Sequence, residues 1–259
     1  MPDPLPSFSL DGHLIVITGA SQGIGQSFAE TYAALGAKVV LAARNLEKLN
    51  EVKDGIVKAG GWADVLQIDV TNLDDISKLA DYVGNLIKDD NDTKLALVNN
   101  AGLGFTKDVM DITEGDWDNL YGVNVKATFF CCQKIAPYML ERGYGKIINL
   151  SSTWSKTSGR GKSAYSSSKA AVSQLTVNLS TEWLPEGIRV NAIAPTATKT
   201  PFTAVTMAAD PARFEGLRKR IMMGRFVETS DLIGAAVFLA SEASDFISGQ
   251  TLFVDGGFV

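Results

Sequence analysis

Short apolar runs alternate with longer stretches of helical hydrophobic spacing along almost the whole of this chain. Residues 14–18, 38–42, 63–68, 95–99, 146–150, 189–194 and 251–254 read as strands. Residues 23–35, 46–59, 73–88, 117–142, 164–184 and 231–239 read as helices. The first strand, Leu14-Ile15-Val16-Ile17-Thr18, is continuous in its apolar character rather than alternating, as a strand covered on both faces must be. Repeated β–α units with short connections predict an α/β fold, a doubly wound, mostly parallel seven-stranded sheet with helices on both faces. In such sheets ligands sit outside the carboxyl ends of the strands, so residues at those ends are the first candidates for function. With no Pro/Gly/Ser linker or charge block, residues 1–259 are expected to form one domain. Its longest irregular stretch, 196–210, leads into an amphipathic segment at 211–223, and 196–223 reads as a substrate-loop insertion.

The first strand runs into Gly19, Ser21, Gln22, Gly23, Ile24 and Gly25, and the next helix opens there. Gly19 permits the sharp exit from the strand. The missing Cβ at Gly23 lets backbone approach a phosphate, and Gly25 lets the helix pack closely on the sheet. The free N–H groups and positive end of that helix then face the phosphates. No Gly-Lys-Ser/Thr follows, so this is not a P-loop.

Composition removes several function classes. The formal net charge is −5 and the basic residues are scattered, which argues against a nucleic acid or an anionic membrane as partner. Cys131 and Cys132 are neighbours in a helical stretch and cannot form an unstrained disulfide, so both read as reduced core residues. His13 is the only histidine and reads as a surface residue before the first strand. With no second histidine and no usable cysteine, neither a metal site nor a Ser-His-Asp triad is expected. Residues 1–9 carry three prolines and no basic residue, unlike a signal peptide. No apolar run approaches the roughly 18 residues of a membrane span, and a cytoplasmic location is expected.

Tyr165 and Lys169 lie one helical turn apart in an Ala/Ser-rich segment, hence on one face. Ser152 follows the strand at 146–150, and Asn124 lies in the long helix at 117–142. Together with the turn from Thr18 to Gly25, the run Asn99-Asn100-Ala101-Gly102 and the terminal Val254-Asp255-Gly256-Gly257, these residues resemble the short-chain dehydrogenase/reductase family. The resemblance covers essentially the whole chain.

It implies a Rossmann fold and a hydride transfer between a nicotinamide cofactor and a carbonyl or secondary-alcohol substrate. Tyr165 would be the acid–base group, since a phenol of pKa about 10 needs help to act as a base at neutral pH. Lys169 would favour the phenolate and bind the nicotinamide ribose, Ser152 would hold the substrate oxygen, and Asn124 would anchor a proton-relay water. The resemblance also assigns cofactor contacts to Asp69 and Val70 after the third strand, to Asn99, Ala101 and Gly102, and to Pro195, Thr198 and Thr200. Homotetramer formation is the family's common assembly.

Ala43 stands where NAD-type relatives carry Asp, and Arg44 follows at once, a guanidinium suited to a 2′-phosphate. NADP(H) is therefore expected, with NAD(H) as the weaker alternative. Gln22 replaces the second basic position of the family, and Arg44 stacking on adenine with mixed specificity stays open. Thr196 replaces the usual Gly after Pro195. Trp154, Gly104, the 196–223 segment and Phe258 are expected around the substrate; sugar-acid, polyol and oxoacyl-carrier reductases all share the pattern. Two rival functions stay open, a catalytically silent NADP(H)-binding regulator and a non-redox enzyme such as a methyltransferase.

Overall fold

The computed structural model describes residues 7–259, apart from the side chain of Phe202. Most of the proline-bearing start, residues 1–6, lies outside the described residues. The strands are β1 (His13–Thr18), β2 (Lys38–Ala43), β3 (Trp62–Gln67), β4 (Lys94–Asn99), β5 (Gly145–Leu150), β6 (Ile188–Pro195) and β7 (Thr251–Val254). They form one sheet in the order β3-β2-β1-β4-β5-β6-β7, every pair parallel. The helices are α1 (Gly23–Ala34), α2 (Leu46–Lys58), α3 (Leu73–Ile87), α4 (Glu114–Tyr121), α5 (Ala127–Glu141), α6 (Ser163–Trp183), α7 (Pro201–Ala209), α8 (Pro211–Arg220) and α9 (Ile233–Ala240).

Successive side chains of a strand point to opposite faces, and this sheet has a core on each. Ile15 and Ile17 of β1 and Ala96 and Val98 of β4 join α1, α2 and α9 on one side. Leu14, Val16, Leu95 and Leu97 join α3, α5 and part of α6 on the other. The expected Rossmann architecture is therefore present. The chain reverses direction across the sheet between β1 and β4, and such a switch point leaves a crevice at the carboxyl ends.

Three expectations are corrected. His13 is buried, not on the surface, and burial lowers its pKa. It begins β1, the strand flanked by β2 and β4, so even its first residue is covered. Residues 196–210 are not irregular throughout, because 201–209 form α7. Pro201 occupies the first helical position, where its missing N–H costs nothing, and Thr200 and Thr203 make a reciprocal capping box. Third, residues 117–142 are not one α-helix. A π-helical stretch, Gly122–Lys126, joins α4 to α5 and carries Asn124.

Candidate active site

The glycine turn has the form that close phosphate approach requires. Gly19 and Gly23 take φ of +67° and +63°, a region side-chain-bearing residues avoid. A Cβ on Gly25 would lie 2.5 Å from the Gly19 carbonyl and 2.5 Å from Asn100 Nδ2. Gln22 makes no side-chain cap, and no acidic residue sits in the first turn of α1. Its positive end is thus left for an anion. Ser21, Gln22 and Ile24 are half-buried along the turn, and a Cβ on Gly23 would be 3.3 Å from Thr200 Cβ. The turn is fastened from below: Asn100 Nδ2 donates to the carbonyls of Thr18 and Gly19, each at 3.0 Å. Thr18 Oγ1 accepts the N–H groups of Asn100 and Ala101, each at 3.1 Å. Asn100, which the sequence marks only as part of the run 99–102, is thus a positioning residue for the turn. These features fit a dinucleotide.

Arg44 is exposed just past β2, and its guanidinium forms no ion pair among the described residues. Lys48, in the first turn of α2, donates to Gln22 Oε1 at 3.0 Å. A second cation therefore stands at the position where the sequence showed only a neutral Gln22. Its spacing of four residues after Arg44 was the available signal. Asp69 and Val70 lie past β3, where the Asp69 carboxylate accepts the N–H and hydroxyl of Thr71 at 2.9 and 2.8 Å. Those bonds hold its pKa below the ordinary carboxylate value. Asn99 is placed differently from expectation. Its Nδ2 donates to Asn149 Oδ1 at 2.9 Å and Cys132 Sγ at 3.2 Å, so the side chain points into the sheet–helix interior.

Ser152, Tyr165 and Lys169 meet on the wall of a cleft of about 650 Å³ at the carboxyl ends of β4, β5 and β6. Ile24, Asn100, Gly102, Pro195, Thr198 and Thr200 line the same cleft. Ser152 leaves β5, and its hydroxyl accepts the Trp154 N–H at 3.2 Å and donates to the Pro195 carbonyl at 3.4 Å. The Tyr165 ring packs on Gly104, where a Cβ would come within 3.0 Å of Cε2. Lys169 is buried and donates to the Leu150 carbonyl at 2.7 Å. Trp154 and Gly104 line the cleft as expected, whereas Phe258 stands behind Trp154, edge to face at 6.0 Å.

The electrostatics depart from the simple expectation. Burial raises the Tyr165 phenol above its ordinary value, and the nearby Ser152 hydroxyl opposes the rise. Lys169, whose ammonium is 6.0 Å from the ring centroid, is itself pushed down to about 8 by burial. Desolvation thus dominates both groups in the protein alone.

Asn124 is buried in the π stretch, where its amide donates to the Leu103 carbonyl at 2.9 Å and to Ser168 Oγ at 3.0 Å. Its Oδ1 accepts the Leu103 N–H at 2.8 Å. A Cβ on Gly102 would be 3.6 Å from both Asn124 Oδ1 and Lys169 Nζ. Asn124 therefore ties the segment after β4 to α6 just beside the lysine.

Among the described residues no group of His, Cys, Asp and Glu could hold a metal ion, and no helix is long and apolar enough to cross a membrane. Both cysteines are free and buried, and burial raises their pKa values.

A family model described as "Enoyl-(Acyl carrier protein) reductase" matches residues 19–259. Gluconate 5-dehydrogenase of Gluconobacter oxydans is 39% identical over 96% of this chain and 96% of its own. The 7alpha-hydroxysteroid dehydrogenase of Escherichia coli is 37% identical over 96% of this chain and 94% of its own. The crystal structure of a gluconate 5-dehydrogenase from Burkholderia cenocepacia, in complex with NADP and tartrate, superimposes with a TM-score of 0.89. It is 36% identical and covers 97% of this chain and 96% of its own. With a parallel seven-stranded sheet, a glycine turn of this form and relatives of full length, the chain belongs to the short-chain dehydrogenase/reductase family.

Proposed function

We propose that this protein moves a hydride between NADP(H) and a carbonyl or secondary-alcohol carbon, with Tyr165 transferring the proton. The observation that carries the reading is the meeting of Ser152, Tyr165 and Lys169 in one cleft that also includes Ile24 of the glycine turn. The relatives are named as dehydrogenases, and nothing supports a silent regulator.

The turn at 19–25 would hold the diphosphate, with Ser21, Gln22 and Ile24 beside it. Arg44 and Lys48 would meet the 2′-phosphate, and Asp69 and Val70 the adenine. Ala101, Gly102, Pro195, Thr198 and Thr200 would border the nicotinamide half; Asn99 would act only through its backbone. When bound, the nicotinamide supplies or accepts the hydride and, oxidised, brings a positive charge into the cleft. In reduction Tyr165 gives its proton to the substrate oxygen, and in oxidation the phenolate takes it back. Ser152 donates to that oxygen as negative charge develops. Lys169 lends its charge to the ribose and to the phenolate. Asn124, whose side chain is committed to Leu103 and Ser168, keeps the floor of this arrangement in register.

A homotetramer and a cytoplasmic setting belong to the same reading; buried reduced thiols fit the second. The direct test is a panel of ketones and secondary alcohols followed at the NADPH absorbance band. Turnover of at least one class with Tyr165 intact supports the reading, and none across the panel contradicts it.

A further inference from the structure

Besides Lys169, two further cations line the cleft with no ion-pair partner among the described residues. Lys162, immediately before α6, donates from Nζ to the Phe105 carbonyl at 3.0 Å. Arg213, in the first turn of α8, donates from Nη1 to Thr106 Oγ1 at 2.5 Å. Phe105 and Thr106 are consecutive, so two charges from distant parts of the chain are fastened to one short piece of wall. Both side chains are half-buried, and neither forms an ion pair among the described residues. Asp210 also lines the cleft, but its carboxylate accepts Arg213's backbone N–H at 3.1 Å as the cap of α8.

The Lys162 ammonium lies 5.2 Å from the Tyr165 ring centroid, next to the group that handles the proton. After its single bond it keeps two donors, and the Arg213 guanidinium keeps a pair of edges suited to a planar carboxylate. Burial and the nearby Arg213 charge hold Lys162 down to about 8. Two like charges held together in a partly dry cleft are unfavourable until an anion offsets them.

We propose that Lys162 and Arg213 form a carboxylate-binding pair that selects hydroxy-acid and oxo-acid substrates. The anionic end of the substrate is gripped by the two cations while its carbinol or carbonyl carbon faces Tyr165. Thr106 and Thr196 also line the cleft, and their hydroxyls suit further hydroxyl groups along the chain of such a substrate. A neutral polyol gains only neutral hydrogen bonds here, and an anion gains charge-assisted ones of about twice the strength. The proposal rests on the acid–base reading of Tyr165 for its geometry, but binding of the anion does not require turnover.

The test uses the enzyme saturated with NADP(H). Binding of tartrate, a dicarboxylate probe, and of uncharged D-glucitol is measured by calorimetry, and kcat/KM is measured for D-gluconate against D-glucitol. The variants are Lys162→Gln, Arg213→Gln, the charge-retaining Lys162→Arg, and Arg160→Gln. The last removes an exposed charge that pairs with Asp108 outside the cleft. Each neutralising variant is expected to weaken tartrate binding at least tenfold and to cut the gluconate-to-glucitol ratio by a similar factor. Lys162→Arg should recover most of the loss, and Arg160→Gln should behave as wild type. Unchanged tartrate affinity in both Lys162→Gln and Arg213→Gln overturns the proposal, as does a wild type that binds tartrate no better than glucitol. Loss of tartrate binding in those variants, in an enzyme that turns over no carbonyl compound, would uphold the carboxylate pair and contradict the Tyr165 reading.

Discussion

In the proposed reading Ser152 would face the substrate oxygen, and it also opposes the rise that burial imposes on the Tyr165 phenol. Removing its hydroxyl leaves burial unopposed, so the Tyr165 pKa must climb further. Alcohol oxidation needs the phenolate and carbonyl reduction needs the phenol. In Ser152→Ala the rising limb of oxidation and the falling limb of reduction should therefore both move to higher pH, besides the loss of rate. Profiles of kcat/KM against pH in the two directions check this, and a limb that stays put or moves down refutes it. At the other end of the cofactor, the proposed reading gives Arg44 and Lys48 the choice of nucleotide. A charge-assisted bond to phosphate contributes about 1.5–3 kcal/mol, roughly ten- to more than a hundredfold in affinity. Arg44→Ala should lower the NADP(H) preference by about that factor, and Lys48→Ala by less, since Lys48 also bonds Gln22. Equal kcat/KM for the two nucleotides in the wild type would make Arg44 an adenine-stacking residue instead.

The outer faces of α5 and α6 carry more apolar surface than the sheet covers. Phe129 and Val177 stand exposed there, with Trp117 on neighbouring α4, and a groove runs between the helices past Tyr121, Phe130 and Leu175. Two-fold packing of such faces would bury them. Light scattering should give a tetramer mass, and Phe129→Glu should lower it; a monomer at micromolar concentration refutes the assembly. Strands were easier to read than helices in this chain. The inner strands β1, β4, β5 and β6 are compact apolar runs buried almost throughout, so composition alone marks them. The half-covered edge strands β3 and β7 keep the same short apolar character. The long helix before Glu141 looked continuous because a π-helical stretch leaves hydrophobic spacing nearly intact. Helix α7 was hidden by Pro201 and a run of threonines, which weigh toward loop unless the capping box is recognised. The glycine turn was legible from its own spacing, and Tyr165, Lys169 and Ser152 through the family resemblance that their motifs carry together. Lys162 and Arg213 were not, because only tertiary folding brings α8 over the segment after β4.

Across the whole molecule, binding and chemistry are drawn from different parts of one parallel sheet. The glycine turn and Arg44 follow β1 and β2, while Ser152 follows β5 and Tyr165 and Lys169 stand on α6. The carboxyl ends of β1, β4, β5 and β6 bring the glycine turn, Ser152, Tyr165 and Lys169 to one crevice at the switch in strand order, with Arg44 past the end of the neighbouring β2. Because the parts are separate, the loss of one phenolic oxygen should remove proton transfer and spare the cofactor. The most direct measurement is therefore kcat on a good carbonyl substrate together with the NADPH dissociation constant in Tyr165→Phe. The account predicts turnover at least a hundredfold below wild type, with NADPH binding within about threefold. A variant that keeps more than a tenth of wild-type kcat, with NADPH bound normally, would contradict the assignment of the proton to Tyr165.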